Sequence, residues 1–194
     1  MNDRNGTSQR IYQCALGILE AEGPKAVSMR RVAKEVGVTA MAIYHHFPNR
    51  EALLTAVVDS EFAQLAQYFG RLNGKRSFEA AMTHIMDGYI EYALAHPRIF
   101  DYVFSTPRVG ARRFPDDFRA RRSPTLNLTA DTVALWMKLG KLKRDDPWEI
   151  AIELWAHVHG YLTLWRAGRF DLSEDEFRKL VRRSLGRLLH GLAR

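Results

Sequence analysis

Tyr44, His45 and His46 stand side by side at the end of TAMAIYHHF, residues 39–47. A phenol and two imidazoles in a row could bind a metal, move a proton, or donate hydrogen bonds to phosphates and base edges. The metal reading fails on spacing, because neighbouring residues of a helix point about 100° apart and do not share an ion. The catalytic reading needs a general base or metal partner converging with the rings on a substrate, and Thr39, Ala40, Met41 and Ala42 supply neither. A nucleic-acid reading fits the order of the residues. Small side chains come first, where backbone can approach a duplex and alanine or methionine can touch a thymine methyl. The rings follow, able to donate to phosphate oxygens without large local charge.

The elements around this stretch position it. Ile11, Ala15, Ile18 and Leu19 recur at helical spacing and end at Gly23-Pro24. Ser28 caps a short helix, MRRVAKEV, with Val32 and Val36 facing inward and Gly37 as its stop. Thr39 caps the next, and Pro48 stops it. Ile43 and Phe47, four apart, anchor its inner face beside Val32 and Val38. Three short helices, with the tight connection EVGVT between the second and third, form a helix-turn-helix pattern, in which the third helix would read base edges with its first residues. Asn49 then caps a long helix expected to close at NGK, residues 73–75.

The remaining punctuation is also helical. Ser77 opens a helix broken at His96-Pro97, and Ser123-Pro124 opens one running to Gly140. Asp146-Pro147-x-Glu149 opens another that reaches Gly168, and the capping box Ser173-x-x-Glu176 starts the last. Residues 105–123, rich in Pro, Gly and Arg, read as a mobile connection. The fold expected is all-α, with about nine helices. It divides into a head at 1–50, a connecting long helix at 51–74 and a larger domain at 75–194.

Composition narrows the partners. The 194 residues carry a net charge of +7, which suggests an anionic partner, yet the charge lies away from the head. Residues 1–58 hold seven Lys/Arg against five Asp/Glu, whereas residues 98–144 hold eleven against four. The basic stretch RVGARRFPDDFRARR reads as a solvated loop or helix edge, with nucleic-acid contact as the alternative. Cys14 is the only cysteine and falls on the apolar side of its helix, as a small buried hydrophobe would. The polar opening MNDRNGTSQR and the lack of a long apolar run point to a cytoplasmic chain that crosses no membrane. No nucleotide loop, metal-ligand spacing or nucleophile elbow is visible, so no cofactor, metal or catalytic residue is expected.

The longer stretch VAKEVGVTAMAIYHHFPNREALLTAVVD resembles the N-terminal domain of the TetR family of transcriptional regulators, over roughly residues 8–58. The matching features are Val38-Thr39, Ile43-Tyr44, His46-Phe47 and Arg50-Glu51-Ala52-Leu53-Leu54. The resemblance implies base contacts from Arg30, Ala40, Met41, Ala42 and His45. It implies phosphate contacts from Ser28, Thr39, Tyr44, His46 and Arg50. Met41 and Ala42 stand where the family often has Gly or Pro and then Thr, which shifts specificity toward Arg30 and His45. Further on, WAHVHG resembles the Trp-x-x-x-His-Gly signature of one group of C-terminal domains, and HPRIFDYVF the His-Pro segment that precedes it.

The larger half shows an aromatic surplus expected to line an apolar cavity, with Tyr89, Tyr92, Phe100, Phe104, Trp136, Trp155 and His159 as candidates. His159 is expected to bond within the core or to reach an effector. The helix at 147–167 is apolar on two faces, which suggests a subunit interface. Its candidates are Leu154, Val158, Tyr161 and Trp165, joined by Leu185 and Leu188 on the last helix. The resemblance implies a four-helix dimer bundle there, a pocket enclosed by the middle helices, and a homodimer on a palindromic operator of double-stranded DNA. The expected effector is a small apolar or aromatic molecule that releases a repressor. An activator, a DNA-scaffolded protein-interaction adaptor, and an enzyme using His157 or His159 are the rival readings.

Overall fold

The computed structural model describes residues 3–69 and 77–193. Among the described residues ten α-helical segments follow one another: α1 (Asp3–Glu22), α2 (Met29–Val36), α3 (Ala40–His46), α4 (Arg50–Tyr68), α5 (Phe78–Ala95), α6 (Pro97–Phe100), α7 (Asp116–Arg119), α8 (Pro124–Lys138), α9 (Pro147–Arg166) and α10 (Glu174–Leu192). A 3-10 turn precedes α2 and a π turn extends α6 through Ser105. Among the described residues there is no strand, only the bridge between Leu142 and Ala193. The NGK stop expected for α4 lies outside the described residues.

The helix starts are local events, and the capping side chains carry them out. Ser28 accepts from Arg31 N, Thr39 from Ala42 N and Asn49 from Ala52 N, at 3.2, 3.1 and 2.8 Å. Asp146 accepts from Trp148 N, and Ser173 and Glu176 form a complete capping box. Gly37 ends α2 in the left-handed region, at φ 74°, where a Cβ would be strained.

Two compact units emerge, and they are not consecutive in sequence. The first takes residues 1–64 and 92–111, and the second takes 65–91 and 112–194. The head expected at 1–50 is therefore part of a larger body that includes most of α4 and the α5–α6 corner. In this unit Ile11, Ala15, Leu19, Val32, Ile43, Leu53 and Val57 are fully buried. An aromatic group closes it, with the Phe104 ring 5.5 Å from Phe62 and 4.9 Å from Phe100.

In the second unit, Gly88 permits close packing of α5 on the end of α4: a Cβ there would lie 2.6 Å from the Tyr68 carbonyl oxygen. Phe118, Leu126, Ala130 and Ala151 form a buried cluster against which Trp148, Ile152 and Trp155 pack. Residues 105–123 are more structured than a mobile connection. They contain α7, bury Phe118, and place each of three arginines on an acid: Arg119 on Asp146, Arg121 on Asp131 and Arg122 on Asp117. Those charges are matched inside the protein, which weakens the case for this stretch as a nucleic-acid surface.

Candidate nucleic-acid interface

The face offered by α2 and α3 follows from how little holds α3 down. Of its seven residues only Ile43 is buried, at 0% exposure. Met41 is 71% exposed and Tyr44 50%, unusual for large apolar side chains. Ala40 and His45 are exposed, and Ala42 and His46 are half-buried. Ser28, Thr39 and Arg30 are exposed as well. Ser28 and Thr39 keep their caps while facing outward, so capping leaves them able to meet an anion.

The arginines of this unit divide by what they touch. Arg30 makes no hydrogen bond or ion pair among the described residues. Arg31 is committed to Glu22 and, at 2.8 Å, to Glu35, and holds both carboxyls below the usual range. Arg50, expected on phosphate, points its guanidinium at protein: Nε donates to Val27 O at 2.8 Å, Nη2 to Pro24 O, and Nη1 pairs with Glu51. It fastens the start of α4 to the turn before α2. Nothing in the residue types of this stretch signals that role, because both carbonyls lie more than twenty residues away in sequence.

Cys14 is half-buried rather than buried, with Sγ 3.5 Å from Glu35 Oε2. Burial, then the Glu35 carboxylate, pushes the thiol up to about 11, so almost no thiolate exists at neutral pH.

The effector candidates fall into separate groups. Tyr89, Trp155 and His159 come together in the second unit: Tyr89 OH lies 2.9 Å from His159 Nδ1, and the Trp155 and His159 rings are 5.5 Å apart. Tyr89 is only 3% exposed, and burial pushes its phenol up. Trp136 packs on Phe78. Phe100 and Tyr92 belong to the core of the first unit, each 1% exposed, and Phe104 packs on Phe62. Two open depressions in the second unit, about 370 and 620 Å³, are lined by mostly polar residues at the start of α5 and on α10, not by these aromatics.

The interface candidates divide too. Leu154, Val158 and Leu185 are at most 1% exposed within one chain, so they are core of the protomer and offer no surface to a mate. Tyr161, Trp165 and Leu188 are half-buried. Tyr161 stacks on Phe170 and its hydroxyl is 3.0 Å from Ser184 Oγ; Trp165 stacks on Phe177 and donates to Leu172 O. Ser184 Oγ also meets His157 Nε2, whose imidazole is pushed down by burial. Leu164, unremarked in the sequence, is 49% exposed, and a Cβ on Gly160 would meet nothing within 4 Å. No helix among the described residues is long and apolar enough to cross a membrane.

Comparison with known proteins gives matches along most of the chain. A family model described as bacterial regulatory proteins, tetR family, matches residues 11–57. A second, described as tetracyclin repressor-like, C-terminal domain, matches residues 82–188. The nucleoid occlusion factor SlmA of Glaesserella parasuis is 26% identical over 92 residues, 47% of this chain and 46% of that protein. The chain thus spans about half the length of that relative. An HTH-type transcriptional regulator of Mycobacterium tuberculosis, Rv0681, is 23% identical over 163 residues, 84% of this chain and 72% of the relative. A solved structure from Rhodococcus sp. RHA1, of unknown function, shares the fold with a TM-score of 0.78 at 24% identity, covering 97% of this chain and 96% of that one.

Proposed function

The chain belongs to the TetR family of bacterial regulatory proteins and is a DNA-binding helix-turn-helix transcriptional regulator, and on that premise we propose that it is a cytoplasmic, dimeric repressor released by a small effector. The observation that carries the reading is α3, whose one buried side chain is Ile43 and whose Met41 and Tyr44 are exposed. Its first turn, with Arg30 from α2, meets base edges in a major groove, and Ser28, Thr39, Tyr44 and His46 meet phosphates. The modest charge of residues 1–58 suits a head that relies on hydroxyls, imidazoles and caps for its backbone contacts. Two heads related by a two-fold axis would read a palindrome with half-sites about 34 Å apart.

The effector is an apolar or aromatic molecule, for which the Tyr89–His159 pair offers a polar anchor among rings. It shifts DNA affinity only by its differential affinity for two states, typically about 1–3 kcal/mol. A mate would approach through α9 and α10, where Leu164 and the open side of Gly160 support close helix contact. The similarity to a nucleoid occlusion factor favours a second reading, a DNA-bound adaptor for a protein partner.

The test is Arg30→Ala, read by titration against the preferred duplex and its point variants. The side chain has no structural duty among the described residues, so stability should hold. Affinity should fall by about 1–3 kcal/mol with relaxed preference at one base position. An equal loss on every duplex would remove Arg30 from base reading.

A further inference from the structure

Among the buried polar residues described, Ser123, Thr129, Thr132 and Glu61, only Glu61 is ionisable. Ser123 accepts from a backbone N–H three residues on, and each threonine donates to a carbonyl four residues back. Glu61, 1% exposed in the middle of α4, is bonded to two other helices. Its Oε2 accepts from Tyr92 OH on α5 at 3.0 Å. Its Oε1 accepts from Tyr12 OH on α1 at 3.3 Å, a proton shared with Ser60 Oγ at 2.9 Å. The Gln64 amide, with its nitrogen turned to the carboxylate, donates at 3.2 and 3.3 Å.

A second clamp joins the end of α1 to the α5–α6 corner. Glu20 on α1 pairs with His96 at 2.9 Å, and Arg98 donates to the Glu20 and Ala21 carbonyls. The Tyr92 and His96 rings, 5.2 Å apart, connect the two clamps. All of these residues lie in one compact unit. An apolar side chain at position 61 would hold the three helices together without the desolvation cost of a charge, so packing alone does not call for a carboxylate.

We propose that Glu61 is a positioning residue of the reading head: its carboxyl group pins α1 to the end of α5, so that the setting of the head follows the α5–α6 corner. The proposal rests on the two-headed, DNA-binding reading above. In such a reader the pin governs which half-site spacing fits, whereas the affinity of a head for its own half-site depends on α2 and α3.

The groups facing the carboxyl are Tyr12 and Glu20 from α1, Gln64 on α4, and Tyr92 and His96 from the α5 side. Burial raises the Glu61 carboxyl above the ordinary value. Its contribution to stability is therefore complete below that ordinary value and lost as pH rises through the raised one. Glu20 and His96 are present in wild type and variant alike, so the difference between the two isolates Glu61.

The experiment uses Glu61→Gln and Tyr92→Phe in the full chain. Each is titrated with the duplex selected from a random pool, with that duplex carrying one base pair more or fewer between half-sites, and with a single half-site. Wild type should prefer its own spacing by about tenfold or more, and both variants by less than about threefold, with half-site affinity unchanged. Thermal stability of wild type should decline as pH rises above the ordinary carboxylate range, and Glu61→Gln should lack that decline. Unchanged spacing preference in both variants overturns the proposal. Should Glu61→Gln fail to fold, Tyr92→Phe decides, since it removes one hydroxyl and leaves the ring. A wild type that binds no duplex overturns the DNA reading itself, and this proposal with it.

Discussion

Ile43→Ala should abolish DNA binding while the second compact unit stays folded. Helix α3 has seven residues, too few to persist without tertiary contacts. Its only buried side chain is Ile43, so truncation removes the largest apolar anchor α3 has in the head core. A buried Ile→Ala change costs about 2–5 kcal/mol, enough to populate an undocked α3. Denaturant unfolding should show the loss, and amide exchange should localise it to α2 and α3. Ile43→Val, costing about 0.5–1.5 kcal/mol, should keep binding. Full affinity in Ile43→Ala would mean that α3 is held by something other than its core face.

Arg50→Ala should act on the fold before it acts on DNA. Two guanidinium nitrogens donate to the Val27 and Pro24 carbonyls, and bonds to a charged group contribute about 1.5–3 kcal/mol each in sheltered surroundings. The side chain is 37% exposed, so a net loss of about 1–3 kcal/mol is the discounted figure. Affinity should then fall on every duplex alike, with a lowered Tm and little change in the salt slope. A phosphate-contacting role predicts the reverse: an unchanged Tm and a slope reduced by about one. Denaturation curves and salt titrations of the same variant separate the two.

The helix boundaries were legible because their determinants are local. Ser28, Thr39, Asn49, Asp146 and Ser173 each meet a backbone N–H two or three residues on, so type and spacing suffice to find them. The open face of α3 was legible for the same reason, since Ile43 and Phe47 mark its inner side. Long-range pairings were not. The carbonyls that hold Arg50, the acids that hold Arg119 and Arg121, and the tyrosines around Glu61 come from distant segments, and periodicity carries no trace of them. On α9 the pattern identified two apolar faces but could not rank them. Leu154 and Val158 went to the protomer core, and the surface was left to Leu164 and the half-buried rings.

The most direct measurement is selection of randomised duplex DNA on the purified protein, followed by salt titration of the winner. The expected result is an enriched palindrome with half-sites about one helical turn apart and a log–log salt slope of several units. Weak, uniform binding with no enriched sequence, under the same conditions and with a folded protein, would contradict the assignment of α2 and α3 as a sequence-reading head.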